Sequence, residues 1–293
     1  MKKFIKSLIL FFMPVMLFML FAEILCRHIP NSYSYKANYL NTHGKEIETL
    51  ILGNSHTFYG IEPDMFSSGA FNAAHVSQTF DLDYAILQKY SDKLSNLKTV
   101  IIPVSYFSLF EKLELDVEKW RLKDYFIYYD LNVPLSFIDR FEIFSKGNIE
   151  NFKNRVLKNT PGITESGRWI CGQKADLQES GKIAAKRHTI ERDTAQMMFP
   201  EMQGYLKDIM EFCQKKNYKV ILLTMPAWHT YMENVDAWQW QKTLETVQAL
   251  EKKYENAHYF NFMADSQFFA DDFCDGDHLN SQGAEKISRM LGN

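Results

Sequence analysis

Short apolar runs alternate along this chain with longer segments in which apolar residues recur at helical spacing. Five runs of four to eight residues predict β-strands, at residues 49–52, 70–73, 99–104, 218–225 and 258–262. Four longer segments predict helices, at residues 82–94, 202–216, 238–254 and 281–291. This alternation is typical of a parallel sheet covered by helices, so the pattern predicts an α/β fold.

Two polar motifs lie beside these predicted elements. In parallel α/β sheets ligands bind at the carboxyl ends of the strands, so reactive side chains there are the first candidates for a site. Gly-Asn-Ser-His at residues 53–56 places Ser55 just past the first predicted strand. Asp-Gly-Asp-His-Leu-Asn at residues 275–280 precedes the last predicted helix and carries Asp275 and His278. His229 follows another predicted strand and is a candidate for contacting substrate.

The residue types in these motifs suit acyl chemistry on an ester. A Ser hydroxyl is a weak nucleophile until a base removes its proton, and a His can accept and return that proton near neutral pH. A carboxylate orients the imidazole. We therefore expect Ser55 as nucleophile, His278 as general base and acid, and Asp275 as the orienting group. Read separately, each motif is also explained as a turn or a helix cap.

The two motifs resemble the first and last sequence blocks of the SGNH/GDSL hydrolase superfamily, in the same order along the chain. The resemblance covers roughly residues 47–104 and 200–291. It implies a parallel-sheet, SGNH-hydrolase-like sandwich and a serine esterase or acyltransferase that needs no cofactor and no metal. The Gly-x-Ser-x-Gly elbow of another hydrolase class is absent, because Thr57 stands where its second Gly belongs.

The middle blocks of that superfamily are altered in this chain. Ser77 stands where the second block has a Gly whose N–H binds the oxyanion. The third block lacks its Asn, so either Ser105 or Ser108 substitutes as a donor or one oxyanion donor is missing. The oxyanion candidates are therefore the N–H groups of Ser55 and Ser77, together with Ser105. One such donor can contribute about 3 kcal/mol. His56 and Asn72 are further candidates for substrate binding.

The N-terminus predicts a membrane signal-anchor. Lys2, Lys3 and Lys6 precede an apolar run at residues 8–22, and Glu23 follows. The lysines favour a cytoplasmic tip and a periplasmic or extracellular domain. A cleaved signal peptide and a buried helix are the alternatives. The predicted organisation is an anchor at residues 1–30, a polar linker at 31–46 and a catalytic domain at 47–293.

An insertion at about residues 106–199 interrupts the strand–helix rhythm. Its aromatic and charged stretch at residues 120–129 suits either a carbohydrate-binding face over the rim of the site or the insertion's own core. Cys171, Cys213 and Cys274 follow the anchor without zinc spacing, and an exported domain could pair two of them.

Net charge excludes one class of partner. The chain carries a formal charge of −3, and because its first 27 residues are basic, the remainder carries −6. An acidic domain of this kind argues against nucleic acid as a partner.

These observations predict a membrane-anchored, extracytoplasmic serine esterase or O-acyltransferase that acts on acyl groups of a cell-envelope polysaccharide, or on a small ester. The substrate class comes from the resemblance to proteins that acylate alginate or D-alanylate teichoic acid, which also implies a membrane-bound acyltransferase as partner. The alternative is a non-catalytic, membrane-tethered factor in polysaccharide or polymer export that retains a relic site. A secreted lipase is a third hypothesis.

Overall fold

The computed structural model, which describes residues 2–144, 162–172 and 174–292, contains a five-stranded parallel sheet. The strands are β1 (Thr49–Ile51), β2 (Ala70–Asn72), β3 (Thr99–Pro103), β4 (Lys219–Thr224) and β5 (Ala257–Asn261). Their spatial order is β2-β1-β3-β4-β5, and every pair is parallel. The predicted α/β fold is confirmed, with each strand within two residues of its predicted bounds.

Ten α-helices accompany the sheet in the described residues. They are α1 (Lys2–Arg27), α2 (Ser32–Thr42), α3 (Ser55–Gly60), α4 (Phe80–Tyr90), α5 (Leu122–Tyr128), α6 (Leu177–His188), α7 (Arg192–Lys215), α8 (His229–Met232), α9 (Ala237–Lys253) and α10 (Ser281–Gly292). Short 3₁₀ turns lie at Gly44–Glu46, Pro63–Met65, Leu113–Leu115, Lys119–Arg121, Ile138–Arg140, Glu142–Phe144 and Ala270–Asp272.

The central strands are buried on both faces of the sheet, since consecutive residues of β1, β3 and β4 are buried. Leu50 on β1, Val100 on β3 and Leu222 on β4 have no exposed surface. Continuous apolar strands of this kind are what a doubly covered parallel sheet requires. The edge strand β5 is largely half-exposed or exposed.

Helix α7 begins ten residues before its predicted start. Pro200 lies inside it, and a Pro usually ends a helical pattern. Two features outweigh that signal. The Glu191 side chain caps the backbone N–H groups of Asp193 and Thr194, and a buried apolar stripe runs through the helix from Ala195 to Cys213.

The chain divides into two compact units with different boundaries from those predicted. The sheet unit comprises Asn38–Asp116 and Ile163–Asn293, and the N-terminal unit comprises Met1–Ala37 and Val117–Gly162. Residues 106–116 and 163–199 of the predicted insertion belong to the sheet unit. Residues 145–161 of that insertion lie outside the described part of the chain.

The predicted linker at residues 31–46 is largely helical. Helix α2 occupies Ser32–Thr42, and Tyr33, Ala37 and Leu40 are buried at helical spacing. The Asn- and Tyr-rich composition suggested a solvated linker, but tyrosine rings supply enough apolar surface to bury one face.

Aromatic residues form the core of the N-terminal unit. Tyr125 and Tyr129 have no exposed surface, and the ring of Tyr33 meets both at centroid distances of 5.3 and 6.5 Å. Of the two interpretations of residues 120–129, the structure supports the insertion's own core.

Candidate active site

The turn after β1 presents Ser55 as the first residue of α3. Gly53 has a φ of +103°, and a Cβ at this position would collide with the ring of Pro103, so only Gly fits the turn. Asn54 then caps α3, its side-chain oxygen accepting the backbone N–H of His56 at 3.0 Å. The N–H of Ser55 is left at the open end of the helix, where backbone donors lack intrahelical partners.

The buried carboxyl group of Asp83 holds this turn in place through a hydrogen bond. Asp83 Oδ1 accepts the backbone N–H of Gly53 at 2.8 Å and the side-chain amide of Gln78 at 2.6 Å. Burial raises the pKa of Asp83 to about 7, and the two hydrogen bonds oppose that rise. The position of Ser55 thus depends on contacts from the α4 region as well as on β1.

The loop before α10 presents His278. Asp275 Oδ1 accepts the backbone N–H groups of Asp277 at 3.1 Å and of His278 at 2.8 Å, which closes a tight turn. A disulfide joins Cys171 to Cys274, directly before this turn. The loop that carries the imidazole is therefore fixed by hydrogen bonds and by a covalent link.

These two loops bring Ser55, His278 and Asp275 together across 223 positions of sequence. His278 Nε2 lies 2.9 Å from Ser55 Oγ, and its Nδ1 lies 3.0 Å from both oxygens of Asp275. With the Nδ1 proton donated to Asp275, the Nε2 lone pair faces the Ser55 hydroxyl. This arrangement can remove the hydroxyl proton and stabilise the resulting imidazolium.

A second carboxylate, Asp277, faces the same imidazole. Its Oδ1 lies 3.5 Å from His278 Nδ1, and the side chain is 3% exposed. Its Oδ2 lies 3.3 Å from Arg187 Nη2, 3.6 Å from His56 Nε2 and 3.9 Å from His188 Nδ1. One buried anion is thus surrounded by three imidazoles and one guanidinium.

This cluster sets the protonation of its members. Burial alone would lower the pKa of His278, but the charge of Asp277 and the hydrogen bond to Asp275 outweigh it and raise that pKa. Burial would likewise raise the pKa of Asp277, yet the neighbouring histidines hold it below its usual value. Burial lowers the pKa of His56 and, more strongly, that of His188, so both are neutral near pH 7.

Two groups in the described residues have donor atoms close enough to hold a metal ion. One is His56, His188 and Asp277, and the other is Asp275, Asp277 and His278. The Arg187 guanidinium contacts the carboxylate that both groups share, and its positive charge opposes a cation there. The second group also contains the base that faces Ser55. We therefore assign neither group to a metal.

The oxyanion side of the site is built by the loops after β2 and β3. Ser77 has a φ of +57°, the left-handed conformation that a Gly adopts most easily. It lines a cavity of about 10 Å³ together with Gly53 and Asn54, so the loop after β2 lies against the nucleophile turn. The positive φ fits the alignment of Ser77 with a Gly.

Ser105 forms hydrogen bonds within the protein through both its hydroxyl and its backbone N–H. Its hydroxyl accepts the side-chain amide of Asn54 at 3.2 Å and lies 3.0 Å from His56 Nδ1, and its backbone N–H donates to Ser108 Oγ at 3.0 Å. Both of its donors therefore have partners inside the protein. Ser105 thus contacts Asn54 and His56, and its role as an oxyanion donor stays a prediction.

The three substrate-binding candidates have different positions. Asn72 has no exposed surface, and its amide group donates to Thr57 O at 2.8 Å and accepts Ala74 N–H at 3.1 Å, so it holds the backbone on both sides of it. His229 is exposed and contacts Gln178 and Glu233. His56 lies beside the triad, its ring centroid 5.4 Å from that of His278, but it is buried.

Sequence reasoning missed four neighbours of the triad. Asp277 stands inside the recognised motif, and only its burial shows that it faces the imidazole. Arg187 and His188 end α6 in the region without strand–helix rhythm, where spacing gave no signal. The Tyr59 ring packs edge-on against His278 at 4.9 Å, one turn after Ser55 on α3.

No protein-family model matches the sequence, and no curated protein matches it. Among solved structures, the chain is similar to a candidate platelet activating factor from Streptococcus pneumonia, with 12% identity, a TM-score of 0.43 and coverage of 95% of this chain and 96% of that one. It is similar to a candidate acylhydrolase from Bacteroides fragilis, with 14% identity, a TM-score of 0.42 and coverage of 87% and 94%. It is also similar to a GDSL-like lipase from Bacteroides thetaiotaomicron, with 13% identity, a TM-score of 0.42 and coverage of 89% and 96%.

Proposed function

We propose that this protein is a serine esterase or O-acyltransferase of the SGNH type, anchored in a membrane with its sheet unit outside the cytoplasm. The observation that carries the proposal is the unbroken chain of contacts from Ser55 Oγ through His278 to Asp275, at 2.9 and 3.0 Å. Nucleophile, base and orienting carboxylate at these separations are the parts that acyl transfer requires.

In this mechanism Ser55 Oγ attacks the carbonyl carbon of an ester while His278 Nε2 takes its proton. The N–H groups of Ser55 and Ser77 stabilise the oxyanion. The protonated His278 then gives its proton to the leaving alcohol, which leaves an acyl group on Ser55. A water molecule or a sugar hydroxyl attacks that acyl group, and His278 again accepts and returns the proton. Asp275 and Asp277 stabilise the imidazolium in both halves of the reaction.

Two features support a location outside the cytoplasm. The helix segment Lys3–Arg27 is long and apolar enough to cross a membrane, and only 6% of its most apolar window is buried in the protein. The disulfide between Cys171 and Cys274 belongs to oxidising compartments and is rare in the cytosol. The substrate class rests on the resemblance to proteins that acylate alginate or D-alanylate teichoic acid. On that basis we propose acyl groups of a cell-envelope polysaccharide as substrate, with a membrane-bound acyltransferase as a partner in acyl delivery.

The second candidate function is a non-catalytic, membrane-tethered factor for polysaccharide or polymer export. The observation that favours it is the engagement of both Ser105 donors within the protein, which leaves one oxyanion position of the resembled superfamily without its side-chain donor. Such a site would keep the triad geometry and turn over esters poorly.

An ester panel tests the proposed function. The full chain in detergent is given acetyl and longer acyl esters of a chromogenic alcohol, and an acetylated polysaccharide with and without an acceptor sugar. We expect hydrolysis of at least one short ester, and faster release of the alcohol with the acceptor if transfer is the reaction. A folded protein that turns over none of these compounds would contradict the enzymatic proposal and support the tethered factor.

A further inference from the structure

A short segment of the N-terminal unit is bound to the far end of α1. Glu23 lies on the last turns of α1, and its carboxylate accepts the backbone N–H groups of Glu142 and Ile143, each at 3.1 Å. The guanidinium of Arg27 donates to Glu23 at 2.6 Å and to the carbonyl oxygen of Arg140 at 3.2 Å. Residues 140–143 are therefore joined to the helix end by direct hydrogen bonds.

The same segment is fixed from its other side by a buried charge cluster. Glu142 accepts the ammonium group of Lys123 at 2.8 Å and the hydroxyl of Tyr128 at 2.8 Å. Lys123 also contacts Asp124 at 2.7 Å. The segment is thus held between α1 and α5 and is part of the folded unit.

Three large apolar side chains on either side of residues 140–143 nevertheless point into solvent. Phe137 is 74% exposed, Ile138 is 60% exposed and Phe144 is 49% exposed. Phe141 links the two aromatic rings, at centroid distances of 5.3 Å to Phe137 and 6.1 Å to Phe144. A row of large apolar side chains on a fixed segment is an interaction surface, because a soluble protein rarely leaves such a row uncovered.

The length of α1 identifies what covers this row. The helix rises about 30 Å from Lys3 to Glu23, over 20 residue-to-residue steps. The hydrocarbon core of a bilayer is roughly 30 Å thick, so Glu23 falls at its boundary when Lys3 lies at the opposite one. Residues hydrogen-bonded to Glu23 and Arg27 then lie at the same depth, where aromatic rings and arginines are favoured.

We propose that Phe137, Ile138 and Phe144 insert into the boundary between headgroups and acyl chains of a phospholipid bilayer, so that the N-terminal unit rests on the membrane as well as being anchored by α1. Arg27 and Arg140 face phosphate groups at that depth. The inference rests on the membrane-anchored form of the proposed function. It adds that Glu23, an acid inside an apolar helix, is the attachment point of the surface.

Photo-crosslinking of the full chain in phospholipid nanodiscs tests this surface. A benzophenone amino acid replaces one phenylalanine at a time, and intact mass reports a phospholipid adduct after illumination. Phe11 on α1 is 72% exposed and serves as the anchor control, and Phe269 of the sheet unit is 65% exposed and controls for labelling that exposure alone causes. Phe144 provides a second test position in case the change at Phe137 disturbs folding.

We expect phospholipid adducts at Phe11, Phe137 and Phe144, with at least fivefold less at Phe269. An adduct at Phe11 with none at either Phe137 or Phe144 would overturn the proposed surface while leaving the anchor intact. Adducts at Phe137 and Phe269 in equal yield would overturn it as well. The absence of a lipid adduct at Phe11 would contradict the anchor itself, and with it the membrane location in the proposed function.

Discussion

The two sides of Ser55 differ in how completely they are built. On the acid–base side, two loops, a disulfide and two carboxylates fix one imidazole within 2.9 Å of the hydroxyl. On the oxyanion side, Ser77 holds a backbone conformation suited to Gly, and the donors of Ser105 are engaged elsewhere. For the proposed function, the groups that activate Ser55 are therefore in place, whereas the oxyanion relies on the backbone N–H groups of Ser55 and Ser77.

Removing the nucleophile should have the largest effect. Ser55→Ala is expected to lower kcat/KM on a short ester by roughly 10⁴-fold or more, because the remaining groups cannot form the acyl intermediate. Ser95→Ala, at an exposed position, is the matched control and should leave turnover unchanged. Steady-state kinetics at pH 8 measure kcat/KM for both variants. Turnover of Ser55→Ala within tenfold of the native protein would show that Ser55 is not the nucleophile.

The base and its orienting group should differ in effect. His278→Gln is expected to cost about as much as Ser55→Ala, because the proton then has no acceptor. Asp275→Asn should cost roughly tenfold to 100-fold less, since the orienting carboxylate contributes less than the base and Asp277 remains 3.5 Å from Nδ1. The comparison is made on kcat/KM with circular dichroism as a folding check. Equal losses in the two variants would rule out a compensating role for Asp277.

Reducing the disulfide is expected to destabilise the fold that holds the loop carrying His278. The bond between Cys171 and Cys274 closes a loop with a sequence separation of 103. In the chain-entropy model a loop of that size contributes about 4–5 kcal/mol. We expect reduction by dithiothreitol to lower the melting temperature of the full chain by roughly 10 °C or more. A melting temperature that is insensitive to reduction would mean that the bond does not constrain the loop.

The pH dependence reports the charges around His278. The base must be neutral, so kcat/KM should rise with pH through the pKa of His278, which lies above its usual 6.5. Asp277→Asn removes a charge that raises this pKa and should move the midpoint to lower pH. Arg187→Gln removes a charge that lowers it and should move the midpoint to higher pH. Rate profiles between pH 5 and 9 give the midpoints, and shifts of the same sign in both variants would contradict the assignment.

The smallest effect is expected at Ser77. A left-handed conformation costs a non-Gly residue roughly 1 kcal/mol. Ser77→Gly should therefore raise the free energy of unfolding by up to about 1 kcal/mol and change kcat/KM by less than about threefold, because its N–H is kept. Ser77→Ala is the matched control that removes the hydroxyl and keeps the strain. A glycine variant less stable than the alanine variant, measured by urea unfolding, would show that the turn is not strained.

The sequence predicted those residues of the site that lie in short, recognisable motifs. Ser55, Asp275 and His278 could be named because a Ser, a His and an Asp in these two motifs together indicate a triad. Asn72 could not be judged, since the same amide can bind substrate or hold a turn, and only its burial decides. Arg187 and His188 come from a segment without periodicity, and tertiary packing alone brings them to Asp277. Helix α2 was hidden because its buried residues include Lys36 as well as Tyr33, Ala37 and Leu40, and a lysine in a pattern indicates an exposed position.

Covalent labelling of Ser55 tests the central claim most directly. The full chain is treated with a fluorophosphonate, which reacts with a serine only when a base activates it, and the modified peptide is mapped by mass spectrometry. We expect one adduct on Ser55, lost in Ser55→Ala and His278→Gln and retained in Ser95→Ala. A folded native protein that forms no adduct on Ser55 would contradict the account and leave the triad as a relic of an enzyme.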